Sequence, residues 1–457
     1  MIDDLTLLLS RIQFAISIGF HGIYPTLNIG MACFILIMES LWVKTNDIVY
    51  LQICQFWNKI FALTFGVGVV SGIVLAYQLG TNFGPFIAYA GEVIGPLFAN
   101  ETLTAFFLEA GFLGIMLFGW KRVGRSLHLF STAMVCFGTI LSAFWIMSAN
   151  SWMQTPVSYT LDVDHLVPIS YAEIIFNPSF LTRFTHMLFS AWLTACFFIL
   201  GISCYYIHQG IATDKAKLTL KFSLIAALIL APMQLMVGDA VGLIVHQYQP
   251  MKTAAMEANW RTQSGVPLVL FALPDQTNQV NHYEISIPKL ASFINTHDWD
   301  GELEGLDQVA IADQPNVFVI FWTFRIMVGL GLCFIAVPVL GLCLGRRIYN
   351  KHWFQWIGML MTPMGLVATT CGWMTAEVGR QPWIIYNVMR TRDGASLIPV
   401  ESVTVSLTVL VIVYSIVLSC YMYYLFKVIQ TGPMDLDNLK HTVGYLLNKP
   451  VVEDPNL

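Results

Sequence analysis

Apolar positions run in long unbroken blocks along this chain instead of alternating or recurring on one helical face. Blocks of roughly 20 residues or more, the length an α-helix needs to cross a bilayer, fall at about 14–40, 54–79, 94–119, 128–149, 183–207, 219–240, 317–343, 353–375 and 402–427. The pattern predicts nine membrane-spanning helices. Basic residues gather in alternate connections, as Lys121, Arg122 and Arg125, then Lys215, Lys217 and Lys221, then Arg346, Arg347 and Lys351. The positive-inside rule assigns those connections to the cytoplasm, the N-terminus to the outside and the C-terminus to the inside. The longest connection, residues 242–316, then falls on the outer face. Its first part, MKTAAMEANW, reads as helix, and the rest, rich in Asn, Asp and Gly, as irregular loop with short structured pieces. The expected fold is an all-α integral membrane bundle, one polytopic domain over 1–457 with the outer loop inside it.

Composition narrows the function. Of 457 residues, 56 % are hydrophobic and 11 % charged, a balance that a water-soluble domain could not keep in solution. A net charge of -5, without a dense Lys/Arg cluster, excludes nucleic-acid binding. The opening MIDDLTLLLSRIQ has two acids where a secretory signal carries positive charge, so the first helix is expected to be retained. Nine cysteines occur singly, with no C-x-x-C or C-x-x-C-H, so neither a disulfide framework nor covalent haem attachment is encoded.

Polar residues inside the apolar blocks carry the chemistry. His21 is placed about two turns into span one, Glu101 and Glu109 in span three, Arg183 and His186 at the start of span five, Asp239 at the end of span six, and Arg325 with Met327 at the start of span seven. A charge at a helix centre costs about 2.5–3.5 kcal/mol on insertion scales, so such groups must face protein or a cavity. The topology puts most of them in the outer half, with Glu109 about 12 Å further along its helix than Glu101. Span eight closes on GWMTAEVGRQPW, where Glu377 and Arg380 share a helix face and Trp373 lies one turn earlier.

Taken singly, each residue has an ordinary reading. A membrane His is usually a hydrogen-bonded core residue, a Met is packing, and a Glu or Arg near a helix end is an interfacial anchor. Together, imidazole, thioether and carboxylate are haem-iron ligands, and arginines are the usual partners of haem propionates. That favours a haem protein over an ion or solute transporter, whose internal repeat is not visible here. A haem b electron carrier without oxygen chemistry is a second alternative.

The strings SRIQF…FH, GTNFGPF, NETLTAFFLE, ANSWMQTPVSY, RFTHM, KTAAMEANW, FWTFRIMVGLG and CGWMTAEVGRQPW, in that order, resemble subunit I of the cytochrome bd-type quinol oxidases, from the first helix through the last span. The resemblance implies that His186 and Met327 are the axial ligands of a low-spin haem b558. It implies that His21 and Glu377 are the axial ligands of two high-spin haems, b595 and d or a haem b in place of d, with the assignment between them open. Glu101 and Glu109 would serve dioxygen reduction and its proton supply, and Arg325, Arg380 and Trp373 the cofactor site. Lys252 and Glu257 would sit in a quinol-binding loop, where a carboxylate can accept a quinol proton and a lysine can stabilise a developing anion. Without the resemblance, those two residues read as a solvated helix face.

The loop has no room between Glu257 and Arg325 for the additional segment found in some members, so it resembles the short-loop form. The implied activity is an electrogenic, non-pumping quinol:oxygen oxidoreductase that reduces dioxygen to water and generates proton-motive force. The implied location is the bacterial cytoplasmic (inner) membrane. The partners would be a second membrane subunit, a small single-helix accessory subunit, membrane quinol, dioxygen and the lipid bilayer.

Overall fold

The computed structural model describes residues 3–433. Among them, nine helices are long and apolar enough to cross a membrane: Asp4–Thr45, Ile48–Asn82, Gly84–Lys121, Arg125–Gln154, Phe180–Gln209, Thr213–Tyr248, Ile311–Asn350, His352–Val378 and Val400–Thr431. These are spans one to nine. Every predicted block is present, and the helices outrun their apolar cores because a helix continues until its ends are capped, not until the hydrocarbon ends. Asp3 caps span one by accepting from the Thr6 N–H, and Asn46 closes it in the left-handed conformation. His21 therefore lies 17 residues past the first helical residue, about five turns in and not two.

The helices alternate in direction, so the connections fall at two ends of the bundle. The short ones at one end carry the basic residues noted above, and we call it the basic end. The opposite, loop end carries the long connections. The C-terminal segment, expected on the basic side, lies outside the described residues beyond 433.

The largest apolar core joins spans one, two and five, where Trp42, Trp57, Phe61, Phe197 and Tyr206 are buried. Span one approaches span five so closely that a Cβ on Gly30 would sit 2.6 Å from the Ala191 carbonyl oxygen. Small residues permit such crossings in membrane bundles, where close packing drives association. Gly30→Ala should therefore destabilise the fold by about 1–3 kcal/mol despite the better helix propensity of alanine. A thermal melt in detergent checks this, and an unchanged midpoint refutes it.

Two boundaries differ from the sequence reading. Span six runs on to Tyr248, so residues 242–248 are membrane helix and the connection begins at Gln249. Asp239, expected to close span six, lies within it and meets at 3.2 Å the Nε2 of His297, the residue that caps the C-terminus of a loop helix, Leu290–Thr296. The loop is also more regular than expected. Strands Leu268–Asp275 and Val280–Ile287 pair as an antiparallel hairpin, and the Asp275 carboxylate accepts the Thr277 and Asn278 backbone N–H groups at the turn.

Candidate functional site

Span eight is broken near Pro363, and its second helix, Met364–Val378, ends just past Glu377. That placement puts a carboxylate at the loop end of the bundle, next to the ends of spans four and five. Glu377 Oε2 pairs with Arg380 at 2.6 Å, the i,i+3 contact expected from the spacing. Its Oε1 accepts from Asn150 Nδ2 at 2.9 Å and Gln154 Nε2 at 3.2 Å, with Arg183 at 4.0 Å. Asn150 in turn accepts from Arg183 at 2.6 Å, and Gln154 Oε1 accepts from Lys252 Nζ at 2.6 Å. One carboxylate thus faces three largely buried cations. Burial, reinforced by Arg183 and opposed by Glu377, pushes the Lys252 ammonium well below the usual lysine range, with Arg380 adding to the lowering.

A buried surplus of positive charge is unfavourable unless an anion joins it. Arg183 Nε and Arg380 Nε and Nη1 are buried donors without a hydrogen-bond partner among the described residues. Unfilled guanidinium donors around a cationic pocket are what haem propionates would satisfy, so Arg380 and Arg183 fit that role. A carboxylate offers about four lone-pair directions, and Glu377 uses three on Asn150, Gln154 and Arg380, so it retains capacity for a further bond.

Lys252 and Glu257 both lie on the loop helix Pro250–Glu257, five residues apart and hence on different faces. Each is 2 % exposed, which overturns the reading of a solvated helix face. The Lys252 stem lies over Gly379, where a Cβ would come within 2.7 Å of Lys252 Cγ. Glu257 turns the other way and pairs with Arg325 Nη2 at 3.4 Å. Burial raises the Glu257 pKa, against the opposing pull of Arg325 and Asn295.

Arg325 departs from the expectation of a propionate partner. Its Nε donates to the Val269 carbonyl and its Nη1 to the Met256 carbonyl, both at 2.6 Å, and it stacks 3.4 Å from the Phe321 ring. With Nη2 on Glu257, every nitrogen is engaged. Arg325 ties the loop to span seven.

Met327, two residues further on, packs against span eight, with Sδ 2.7 Å from where a Gly372 Cβ would stand. Trp373 is the half-buried neighbour of that glycine. His186 faces span six, its Cε1 3.3 Å from the Cβ position of Gly238, and Gln234 Nε2 reaches its Nε2 at 3.3 Å. Spans five and seven both pack on spans six and eight, so His186 and Met327 approach from helices on either side. Buried His186 Nδ1, Gln234 Oε1 and Trp322 Nε1 have no partner among the described residues.

The two span-three acids converge on span four. Residues Glu101–Phe106 form a π-helical segment, a departure from α-helix that recurs at functional sites. Glu101 Oε1 accepts from Ser142 at 2.8 Å, and buried Glu109 lies against Gly138, whose Cβ would stand 2.5 Å from Glu109 Cγ. Their contacts Ser142 and Gly138 lie one turn, about 6 Å, apart on span four. His21 Nδ1 meets Ser71 Oγ at 3.0 Å, against the bare backbone of Gly72.

No group of three or more His, Cys, Asp and Glu side chains comes together among the described residues. Axial haem ligation needs only one or two side chains per iron and is compatible with that dispersal. Sequence reasoning gave no task to Asn150, Gln154, Gln234, Ser71 or Ser142. The signal for Asn150 and Gln154 was present, since ANSWMQ sets two amides four residues apart at the end of an apolar span.

The family model for cytochrome bd terminal oxidase subunit I matches residues 9–433. Cytochrome bd ubiquinol oxidase subunit 1 of Bacillus subtilis (strain 168) is 34 % identical over 410 residues, 85 % of this chain and 86 % of that protein. Cytochrome bd-II ubiquinol oxidase subunit 1 of Escherichia coli (strain K12) is 29 % identical over 504 residues, covering 95 % and 98 %. The solved structure of bd oxidase from Geobacillus thermodenitrificans superposes with a TM-score of 0.89 at 30 % identity, over 95 % of this chain and 100 % of that one.

Proposed function

This chain belongs to the cytochrome bd terminal oxidase subunit I family, and on that premise we propose that it is the haem-bearing subunit of a membrane quinol oxidase that reduces dioxygen to water. The observation that carries the reading is the buried cationic pocket around Glu377, with unfilled arginine donors, next to a loop helix that buries both Lys252 and Glu257. His186 and Met327 would hold the haem that accepts electrons, b558. His21 and Glu377 would hold the pair at which dioxygen is reduced, b595 and either d or a second haem b, with Trp373 packed in that site. When bound, these groups supply the one-electron transfers that link quinol oxidation to dioxygen reduction.

The protein's own residues do the rest. Glu257, whose raised pKa makes its carboxylate a readier base, accepts the quinol hydroxyl proton. Lys252 stabilises the anion that develops as electrons leave. Glu109 and Glu101 of span three, whose contacts Gly138 and Ser142 lie one turn apart on span four, hold protons for water formation. With the basic end in the cytoplasm, quinol protons leave outside while water protons enter from inside. Charge then separates across the bacterial cytoplasmic membrane without a pump. A second membrane subunit and a small single-helix subunit complete the assembly.

The test is a reduced-minus-oxidised spectrum of the purified complex together with oxygen consumption driven by quinol. Absence of haem bands or of turnover rejects the reading. Met327→Leu removes a soft axial ligand while keeping volume. It should change the low-spin haem spectrum and slow electron entry, leaving the ligand-binding haems present. An unchanged low-spin spectrum would reduce Met327 to packing.

A further inference from the structure

Two histidines meet at the basic end of the bundle, away from the site above. His208 lies in the last turn of span five, which Gly210 ends in the left-handed conformation. His352 opens the first helix of span eight, His352–Leu360, and Gln355 follows three residues later on the same face. His208 Nδ1 lies 3.3 Å from His352 Nδ1, and Gln355 Oε1 lies 3.0 Å from the first and 3.2 Å from the second. The three atoms form a nearly equilateral triangle. Gln355 is buried, and its Nε2 donates to the Tyr349 carbonyl at 2.9 Å, which fixes Oε1 toward the histidines.

Hydrogen bonding alone does not account for the triangle. Each Nδ1 carries at most one proton, and Oε1 carries none. With both nitrogens protonated, each donates to Oε1 and the two N–H groups oppose one another. With one protonated, its proton is shared between two edges, and the third edge joins two lone pairs. A cation resolves all three contacts, because every corner can offer it a lone pair. Zinc binds imidazole nitrogen at about 2.0–2.1 Å in tetrahedral geometry, which sets neighbouring donors about 3.3 Å apart. The edges of the triangle approach that spacing. Packing holds the scaffold in place without the ion. A Cβ on Gly358 would clash with Cys204 Sγ, and one on Gly201 would stand 2.9 Å from the Gly358 carbonyl oxygen. Small residues thus bring spans five and eight into close contact within two turns of the triangle.

We propose that His208, His352 and Gln355 bind one divalent transition-metal ion of the zinc class, clasping the end of span five to the start of span eight. Two imidazoles set the class, since they suit zinc, copper and nickel, whereas calcium and magnesium call for more oxygen donors. The third donor is an amide oxygen, so the site falls outside any group of three His, Cys, Asp and Glu side chains. With each Nδ1 on the ion, the proton of each neutral imidazole sits on Nε2. All three donors are then neutral, the ion keeps its double charge, and the fourth tetrahedral position is left for water or an anion. His352 and its neighbour Lys351 are exposed, so the ion can enter from solvent, which also screens the lysine. The inference stands apart from the oxidase reading, because no haem or quinol chemistry enters it.

The experiment uses the purified, haem-loaded complex, prepared without a polyhistidine tag and treated with a chelator to remove loosely held metal. Zinc binding is measured by equilibrium dialysis, and thermal midpoints are recorded with zinc and with magnesium. Wild type should hold a zinc ion that His208→Ala and His352→Ala bind about a hundredfold or more weakly, since losing even an outer partner of a metal ligand costs about 10–100-fold. Zinc should raise the wild-type midpoint and leave both variants unmoved, and magnesium should move none of them. Equal zinc stoichiometry and affinity in wild type and both variants overturns the site, as does an equal midpoint shift with magnesium. If His208→Ala does not assemble, His352→Ala decides, because His352 is exposed at a helix start and its imidazole can be removed without opening the core. Weakened zinc binding in that variant, with a dithionite-reduced haem spectrum matching wild type, supports the site, and unchanged binding overturns it.

Discussion

Glu377→Ala is expected to abolish quinol-driven oxygen consumption, by at least about a hundredfold, while the low-spin haem spectrum survives. Two effects act together. An axial ligand is removed, and Lys252, Arg183 and Arg380 lose the one carboxylate they share. Stripping the partner from buried charges costs about 3–5 kcal/mol, so the Ala variant should also be less stable. Glu377→Gln separates the two effects, since it keeps the volume and a carbonyl oxygen for Asn150 while deleting the charge. If ligation is the essential task, turnover is lost in both variants. Turnover near the wild-type rate in Glu377→Gln would reject the ligand assignment and leave the residue as a counter-charge.

Lys252→Met should have the opposite effect on stability and a comparable effect on activity. Methionine keeps the apolar stem over Gly379 and removes one of three crowded cations, so the fold should be no less stable. Quinol oxidation should fall by about a hundredfold, whereas oxygen reduction driven by a soluble one-electron reductant that bypasses the loop should persist. The pH profile gives a second readout. The Lys252 pKa is lowered, so its cation is lost as pH rises through that lowered value. A role in stabilising the quinol anion therefore predicts an alkaline limb in wild-type quinol oxidation that vanishes in Lys252→Met. Equal loss with both reductants would place Lys252 in the support of Glu377 and not in quinol chemistry.

The placement of Lys252 explains why sequence reading stopped where it did. MKTAAMEANW reads as a short helix, and the sequence alone favours leaving its charges in water. Burial follows from where that helix docks, between the end of span four, which supplies Gln154, and the glycine of GRQPW. The bond from Lys252 to Gln154 spans 98 positions, and the bond from Glu39 to His128 spans 89. No local pattern reports such partners. The Glu377–Arg380 pair was legible because both groups lie within one turn of the same segment. For Arg325 only the charge was visible, not the two loop carbonyls and the Glu257 carboxylate that it meets.

The nine spans, their order, the basic end and the family resemblance were determined by the sequence alone. Backbone groups in lipid must bond within their own segment, so each apolar block specifies its own helix. Which buried charges meet was decided only by the tertiary structure. In a medium without water, each ionisable side chain is stabilised by whichever partner helix packing brings within reach. That choice put three cations on Glu377, sent Glu257 to Arg325, and enclosed Glu39 with His128.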